Sequence, residues 1–253
     1  MLLTFSHREN EARLDTPRVV LPLLFGQRVP TSLLDVGCGI GAWMQVAIDL
    51  GVKEVFGIDG VPIAPVQLTV PPRCFGLQDL TIPWDLGRTF EICLCLEVAE
   101  HLDQKYAPLL VRNLINHSAT IMFSAACPSQ DGQHHVNCQW PNYWQGLFNA
   151  AGFACDDSLR WKLWDISQVE PWYRQNIFVA QRAPKMAGQE PRIHGVIHPD
   201  MLSRRAFDIF RKDRERQFAS IEAGFKPPLW YLTTVARAFF AKLARRVRKS
   251  YGR

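Results

Sequence analysis

The segment "LLDVGCGIGAW", Leu33 to Trp43, reads as a strand, a tight glycine turn and the start of a helix. An apolar run over Ser32–Val36 carries the carboxylate of Asp35 near its end. Gly37, Cys38, Gly39 and Gly41 follow, and "GAWMQVAIDLG" keeps helical spacing as far as Gly51. Glycine accepts positive φ and lets a ligand lie against the main chain with no Cβ between them. The start of the next helix offers N–H groups that have no partner within the helix. Further on, "FGIDG" places Asp59 and Gly60 at the end of another apolar run, where an acid can accept both hydroxyls of a ribose.

The same alternation of apolar runs and helical patterns continues from about residue 17 to 182. Candidate strands are Ser32–Val36, Glu54–Ile58, Cys74–Leu77, Phe90–Leu96, Thr120–Ala125, Phe153–Asp156 and Asn176–Gln181. Several are apolar on both faces, as buried parallel strands are. Helices are expected over Gly41–Gly51, through "PLLVRNLINH" and over Tyr143–Ala151. "RAPKMAGQEPRIHGVIHPD" has the composition of a linker, which divides the chain into an α/β domain over 1–182, a linker over 183–200 and a helical extension over 201–253. A chain of 253 residues has room for one such domain and an appendage.

The spacing DxGxGxG, from Asp35 to Gly41, with Asp59 and with Asp79 in "LQDL", resembles the class I S-adenosylmethionine-dependent methyltransferases. Nicotinamide domains, the alternative for a glycine turn of this kind, space it GxGxxG. The resemblance covers residues 17–182 and implies a doubly wound, mostly parallel seven-stranded sheet, ordered 3-2-1-4-5-7-6 with the last strand antiparallel. It also implies roles. Gly37, Gly39 and Gly41 approach the methionine and ribose portions of S-adenosylmethionine, Asp59 holds the ribose, Asp79 and Leu80 hold the adenine, and Asp35, Cys38, Gly60 and Leu96 complete the cofactor-binding set.

In "LCLEVAEHLDQ", two acids and a histidine directly follow an apolar strand. In an open α/β sheet this is the carboxyl edge, where ligands bind. If the chain turned helically there, Glu97, Glu100 and His101 would share one face. Such a trio offers ligands to a divalent cation, and "DGQHHVNCQWP" brings His134 and His135 to the same edge after the fifth strand. ExxEH with a later histidine resembles the Mg²⁺ or Mn²⁺ site of ubiquinone-pathway O-methyltransferases and small-RNA 2′-O-methyltransferases. The resemblance implies Glu97, Glu100, His101 and His135 as ligands. The same segment also occurs in class I methyltransferases that need no metal. In that case His135 or His101 is the candidate general base, with Glu97 beside it, since imidazole titrates near neutrality.

Trp140, Tyr143, Trp144, Trp161, Trp164, Trp172 and Tyr173 crowd the later part of the domain. Such rings stack on sugar faces or aromatic acceptors when exposed and otherwise fill cores. The stretches "HHVNCQWPNYWQGLF" and "PWYRQNIFVA" are similar to bacterial methyltransferases that accompany polysaccharide and lipopolysaccharide assembly, which implies a glycan hydroxyl as acceptor. Quinone or phenolic small molecules and RNA 2′-hydroxyls are the alternatives within enzymes, and a non-catalytic cofactor-binding partner is the alternative outside them.

Charge bears on location and partners. Of 29 Lys and Arg, seven lie from Leu229 onward with no acid among them, so the net charge of +5 belongs to the tail. The rest of the chain has no basic excess that would advertise nucleic-acid binding. "LWYLTTVARAFFAKLARRVRKS" spaces apolar residues three and four apart among the cations, the pattern of an interfacial helix. Residues 229–253 are therefore expected to dock on an anionic membrane surface, on the catalytic domain or on a second copy of the chain. "MLLTFSHREN" turns polar too soon for a signal peptide. Seven cysteines without a CxxC pair suit a reducing compartment and no zinc site. The expected location is cytoplasmic, with peripheral attachment at the inner membrane face through the tail.

Overall fold

The computed structural model describes residues 14–202. Residues 1–13 and 203–253, including the expected amphipathic helix, lie outside that range. In chain order the elements are α1 (Asp15–Phe25), β1 (Ser32–Val36), α2 (Ala42–Asp49), β2 (Glu54–Asp59), β3 (Phe75–Leu77), β4 (Ile92–Leu96), α3 (Ala107–His117), β5 (Thr120–Ser124), α4 (Pro141–Ala150), β6 (Phe153–Asp156), α5 (Ser158–Leu163), α6 (Pro171–Asn176) and β7 (Phe178–Arg182). The seven strands form one sheet in the order β3-β2-β1-β4-β5-β7-β6, as expected. β7 runs antiparallel to both of its neighbours, and the other pairings are parallel.

Every residue of β1 and of β4 is buried, because helices cover both faces of the sheet. Period-two alternation distributes their side chains between two cores. Leu34, Val36, Cys93, Cys95 and Phe123 face Leu110, Leu114, Trp144 and Phe148 of α3 and α4. Leu33, Leu94 and Met122 face Val20, Leu21, Met44, Leu159 and Leu163 of α1, α2 and α5. Cys93 and Cys95 act as small apolar residues, and burial pushes both thiols far above their usual range. All seven cysteines are free.

The strands match expectation to within two residues, and the differences have local causes. Cys74 belongs to a short helical turn opened by Pro72. Phe90 makes only an isolated bridge, to Ser118. Asn176 ends α6 instead of starting β7. α1 was not foreseen, because "DTPRVVLPLLF" holds two prolines. Pro17 sits in the first turn, where a missing N–H costs nothing. Pro22 lies inside the helix, which is short enough to tolerate one lost bond.

The segment expected as a linker packs closely on the domain as far as His198. Glu190 accepts hydrogen bonds from Gln145 Nε2 (3.1 Å), Asn149 Nδ2 (2.6 Å) and the Cys155 amide (3.1 Å). Burial alone would raise the Glu190 carboxyl, but these donors bring it down to about 2. The Ile193 side chain is buried, and its amide donates to Gln145 Oε1 at 2.8 Å. Residues 183–198 thus form a strap over α4 and β6. Among the described residues no helix is long and apolar enough to cross a membrane.

Candidate active site

The parallel strands bring the turns after β1, β2, β4 and β5 to one edge of the sheet. In the turn after β1, Gly37, Gly39 and Gly41 have φ of +75°, +50° and +91°, which glycine adopts without penalty. Gly37 is constrained further, because a Cβ there would come within 2.2 Å of Val98 Cγ2. The glycine loop therefore touches the segment that carries Glu97 and Glu100.

Asp59 has a role that sequence reasoning missed. Its Oδ2 accepts the Gly39 amide at 2.9 Å and its Oδ1 accepts the Val61 amide at 2.8 Å, so it clamps the glycine loop to the end of β2. Each carboxylate oxygen retains a second lone pair, which leaves acceptor capacity for a ribose hydroxyl. Asp35 is buried, and its Oδ2 has no partner among the described residues. Burial first, and then the nearby Asp59 charge, raise its carboxyl to about 7. Cys38 is buried beside it, and desolvation lifts its thiol out of reach of ionisation. Gly60 follows Asp59 with only the Gln78 carbonyl nearby, 3.7 Å from the Cβ position. Asp79 is exposed and held below the usual carboxylate range by the Thr81 hydroxyl and amide. The Leu80 and Leu96 side chains belong to the two cores.

The acceptor side departs from expectation in one respect. Glu97 takes a left-handed φ of +54°, and a helical turn begins only at Ala99–His101. Glu97 therefore meets Glu100 from outside that turn, carboxyl against carboxyl, and not from a shared helical face. Its Oε2 accepts Gln130 Nε2 at 2.8 Å, and its Oε1 accepts Asn176 Nδ2 at 3.3 Å. Burial raises the Glu97 carboxyl, and hydrogen bonds from Ser124, Asn176 and Gln130 oppose that rise.

Glu100, His101 and His135 do converge, with one ligand atom from each lying within 4.8 Å of the others. Glu97 is outside this group. The loop that carries His135 is registered by the Glu100 carbonyl, which accepts the amides of Val136 (2.9 Å) and Asn137 (3.0 Å). Glu100 is fully buried, and its carboxyl meets the Glu97 carboxyl and the Ala126 amide. Desolvation, then the Glu97 charge, holds its carboxyl far above the ordinary range. Burial and His135 together press His101 down to about 4, so its ring is neutral at physiological pH.

His135 is oriented through its other nitrogen. Nδ1 lies 3.0 Å from the Gln130 carbonyl and so carries the proton, which leaves a lone pair on Nε2. Gly132 provides the space, since a Cβ there would fall 2.0 Å from Nε2. His134 is exposed and does not join the group. Of the aromatic residues, Trp144 is core, Trp140 and Trp161 are exposed, and Tyr173 stands edge-on to Trp43 with centroids 5.5 Å apart. Gln130, Gly132 and Asn176 carry no motif. Only the Asp-Gly turn signal in "DGQHH" hinted at one of them.

A sequence family described as a methyltransferase domain matches residues 6–165. The chain belongs to this family. With its sheet order, it is a class I S-adenosylmethionine-dependent methyltransferase. No curated protein matches the chain in sequence. Two solved structures with the same fold are magnesium protoporphyrin IX methyltransferase from Synechocystis PCC 6803 with bound SAH, and an amino pentose methyltransferase from Micromonospora echinaspora with bound SAM. The first is 16% identical, covers 72% of this chain and 90% of its own, and has a TM-score of 0.51. The second is 18% identical, covers 72% of this chain and 98% of its own, and has a TM-score of 0.50. At these identities the likeness speaks to the fold.

Proposed function

We propose that the protein transfers the methyl group of S-adenosylmethionine to a sugar hydroxyl during glycan or lipopolysaccharide assembly. The observation that carries this reading is the convergence of Glu100, His101 and His135 beside the Gly37–Val98 contact, where the cofactor loop meets the acceptor edge. When bound, the cofactor supplies an electrophilic methyl on a sulfonium, so the chain's own task is positioning. Gly37, Gly39 and Gly41 give the main chain room to approach the cofactor, Asp59 retains lone pairs for its ribose, and Asp79 with Leu80 borders the adenine. His135 Nε2, with Nδ1 already engaged, is the acceptor for a hydroxyl proton.

Glu100, His101 and His135 also suit a divalent cation. A buried carboxylate beside two imidazoles is a donor set that Mg²⁺ or Mn²⁺ accepts. An ion held there would lower the pKa of the acceptor hydroxyl. Glu97 lies against Glu100, with both of its oxygens already engaged by amides.

The half-buried and exposed aromatic residues near this edge suit a sugar face. The basic residues from Leu229 onward suit an acceptor carried on an anionic membrane, toward which each Lys or Arg contributes ~1 kcal/mol. The test is to incubate the full chain with methyl-labelled S-adenosylmethionine and either a cell-envelope or an RNA fraction, with and without EDTA. Label is expected in envelope saccharide and is expected to fall when EDTA is present. Label in RNA instead would overturn the glycan reading, and transfer that persists in exhaustive EDTA would remove the cation from it.

A further inference from the structure

The strap over 183–198 is joined to the acceptor edge by an unbroken run of hydrogen bonds through two consecutive amide side chains. The backbone amide of His198 donates to Gln175 Oε1 at 2.8 Å. Gln175 Nε2 donates to Asn176 Oδ1 at 3.1 Å and to Cys127 Sγ at 3.0 Å. Asn176 Nδ2 donates to Gln130 Oε1 at 2.9 Å and to Glu97 Oε1 at 3.3 Å. Gln130 Nε2 closes the run on Glu97 Oε2 at 2.8 Å, and the Gln130 carbonyl holds His135 Nδ1 at 3.0 Å.

The direction of this run is fixed at both ends. A backbone amide only donates, so Gln175 must turn its oxygen to His198 and its NH₂ toward Asn176. Both Glu97 oxygens accept amide NH₂ groups, from Gln130 and Asn176, so Asn176 turns its NH₂ to Glu97, which leaves Oδ1 for Gln175. The two constraints agree, and both protons on each of these two NH₂ groups are used. Gln175 and Asn176 are buried, so water cannot substitute for a lost partner at low cost.

A second contact joins the strap to the same loop. Gly195 lies flat on the Trp140 indole, where a Cβ would come within 2.3 Å of Cε3. Arg160 Nη1 fastens the strap beside it, donating to the carbonyls of His194 and Gln175, each at 3.2 Å.

We infer that Gln175 and Asn176 are positioning residues for the acceptor site, and that the strap over 183–198 is part of that site because it sets their orientation. The consequence for catalysis rests on reading the Glu97–His135 edge as the acceptor side, but the orientation of the amides does not. Two variants of the full chain separate a relay from a structural tether. Gln175→Glu keeps an oxygen for the His198 amide and removes the donor toward Asn176. Asn176→Ala breaks the next link and adds no charge to the interior.

The measurements are the ¹⁵N side-chain amide signals of the chain saturated with SAH, the SAH affinity, and label transfer to the accepting fraction. Both variants are expected to move the Gln130 NH₂ signal and to keep SAH affinity within about twofold. Turnover is expected to fall roughly tenfold or more, the size expected for a buried hydrogen bond to a charged group. A Gln130 signal that stays in place in both variants would overturn the inference, and so would undiminished turnover in Gln175→Glu. If no fraction takes label even from the wild-type chain, the proposed acceptor fails while the amide signals still decide whether the relay exists.

Discussion

On the cofactor side of the sheet edge, positive φ falls on Gly37, Gly39 and Gly41; on the acceptor side it falls on Glu97, Ser129 and His134. The first set carries no cost for its conformation. Each member of the second does, because a Cβ in the left-handed region costs about 1–2 kcal/mol. Buried acids occur in both halves. Asp59 on the cofactor side and Glu97 on the acceptor side each have both oxygens engaged by amides, whereas Asp35 on the one side and Glu100 on the other are buried with raised carboxyls. What separates the two halves is backbone strain, which the acceptor side stores and the glycine turn does not. Strain of this kind gathers where a fold is set up for chemistry.

The sharpest way to break this comparison is at Gly37. Gly37→Val combines an unfavourable φ with an overlap against Val98. It is expected to abolish SAH binding, so the stabilisation of ~2.7 kcal/mol at 100 times Kd should vanish from a thermal-shift titration. His135→Ala strikes the other half. It should lower methyl transfer by ~10²–10⁴-fold while leaving SAH affinity intact, which kinetics and calorimetry on one preparation can check.

Asp35 gives a pH signature for the cofactor side. Its folded-state carboxyl sits at about 7, above the ordinary 3.8, so the folded chain holds the proton more tightly. Stability from this group is fully present below pH 4 and is lost as pH rises through 7, a change of ~4 kcal/mol. Glu97 and Glu100 shift in the same direction. Asp35→Asn should therefore flatten, without abolishing, the decline in melting temperature from pH 4 to 7 in the cofactor-free chain. An unchanged profile would show that Asp35 does not titrate there. The smallest effect is expected from His134→Gly, which relieves a left-handed residue on an exposed loop and should raise stability by ~1 kcal/mol in denaturant unfolding.

What the sequence made legible follows the same division. The spacing from Asp35 to Gly41 and the acid at Asp59 lie in one βα unit and its successor, so local pattern placed them correctly in the fold. Glu100 and His101 were legible as a pair, and His135 as a residue returning to the same edge. Glu97 meets Glu100 by a route other than the expected one, because its left-handed φ breaks the helical spacing that would have put it on their face. Gln130, Asn176 and the strap were invisible for a different reason. Asn176 reaches Glu97 across 79 positions of sequence, and "RIHGVIHPD" has the polar, glycine- and proline-bearing composition of a linker. Its packing depends on Glu190 and Ile193 meeting donors and a core that only the fold assembles.

Calorimetric titration of SAH into the wild-type chain, Gly37→Val and His135→Ala tests the division of labour most directly. Wild type and His135→Ala should bind one equivalent with the same affinity, and Gly37→Val should give no heat. If His135→Ala lost the nucleoside, or if the wild-type chain gave no heat at all, the two-sided account of this edge would be contradicted.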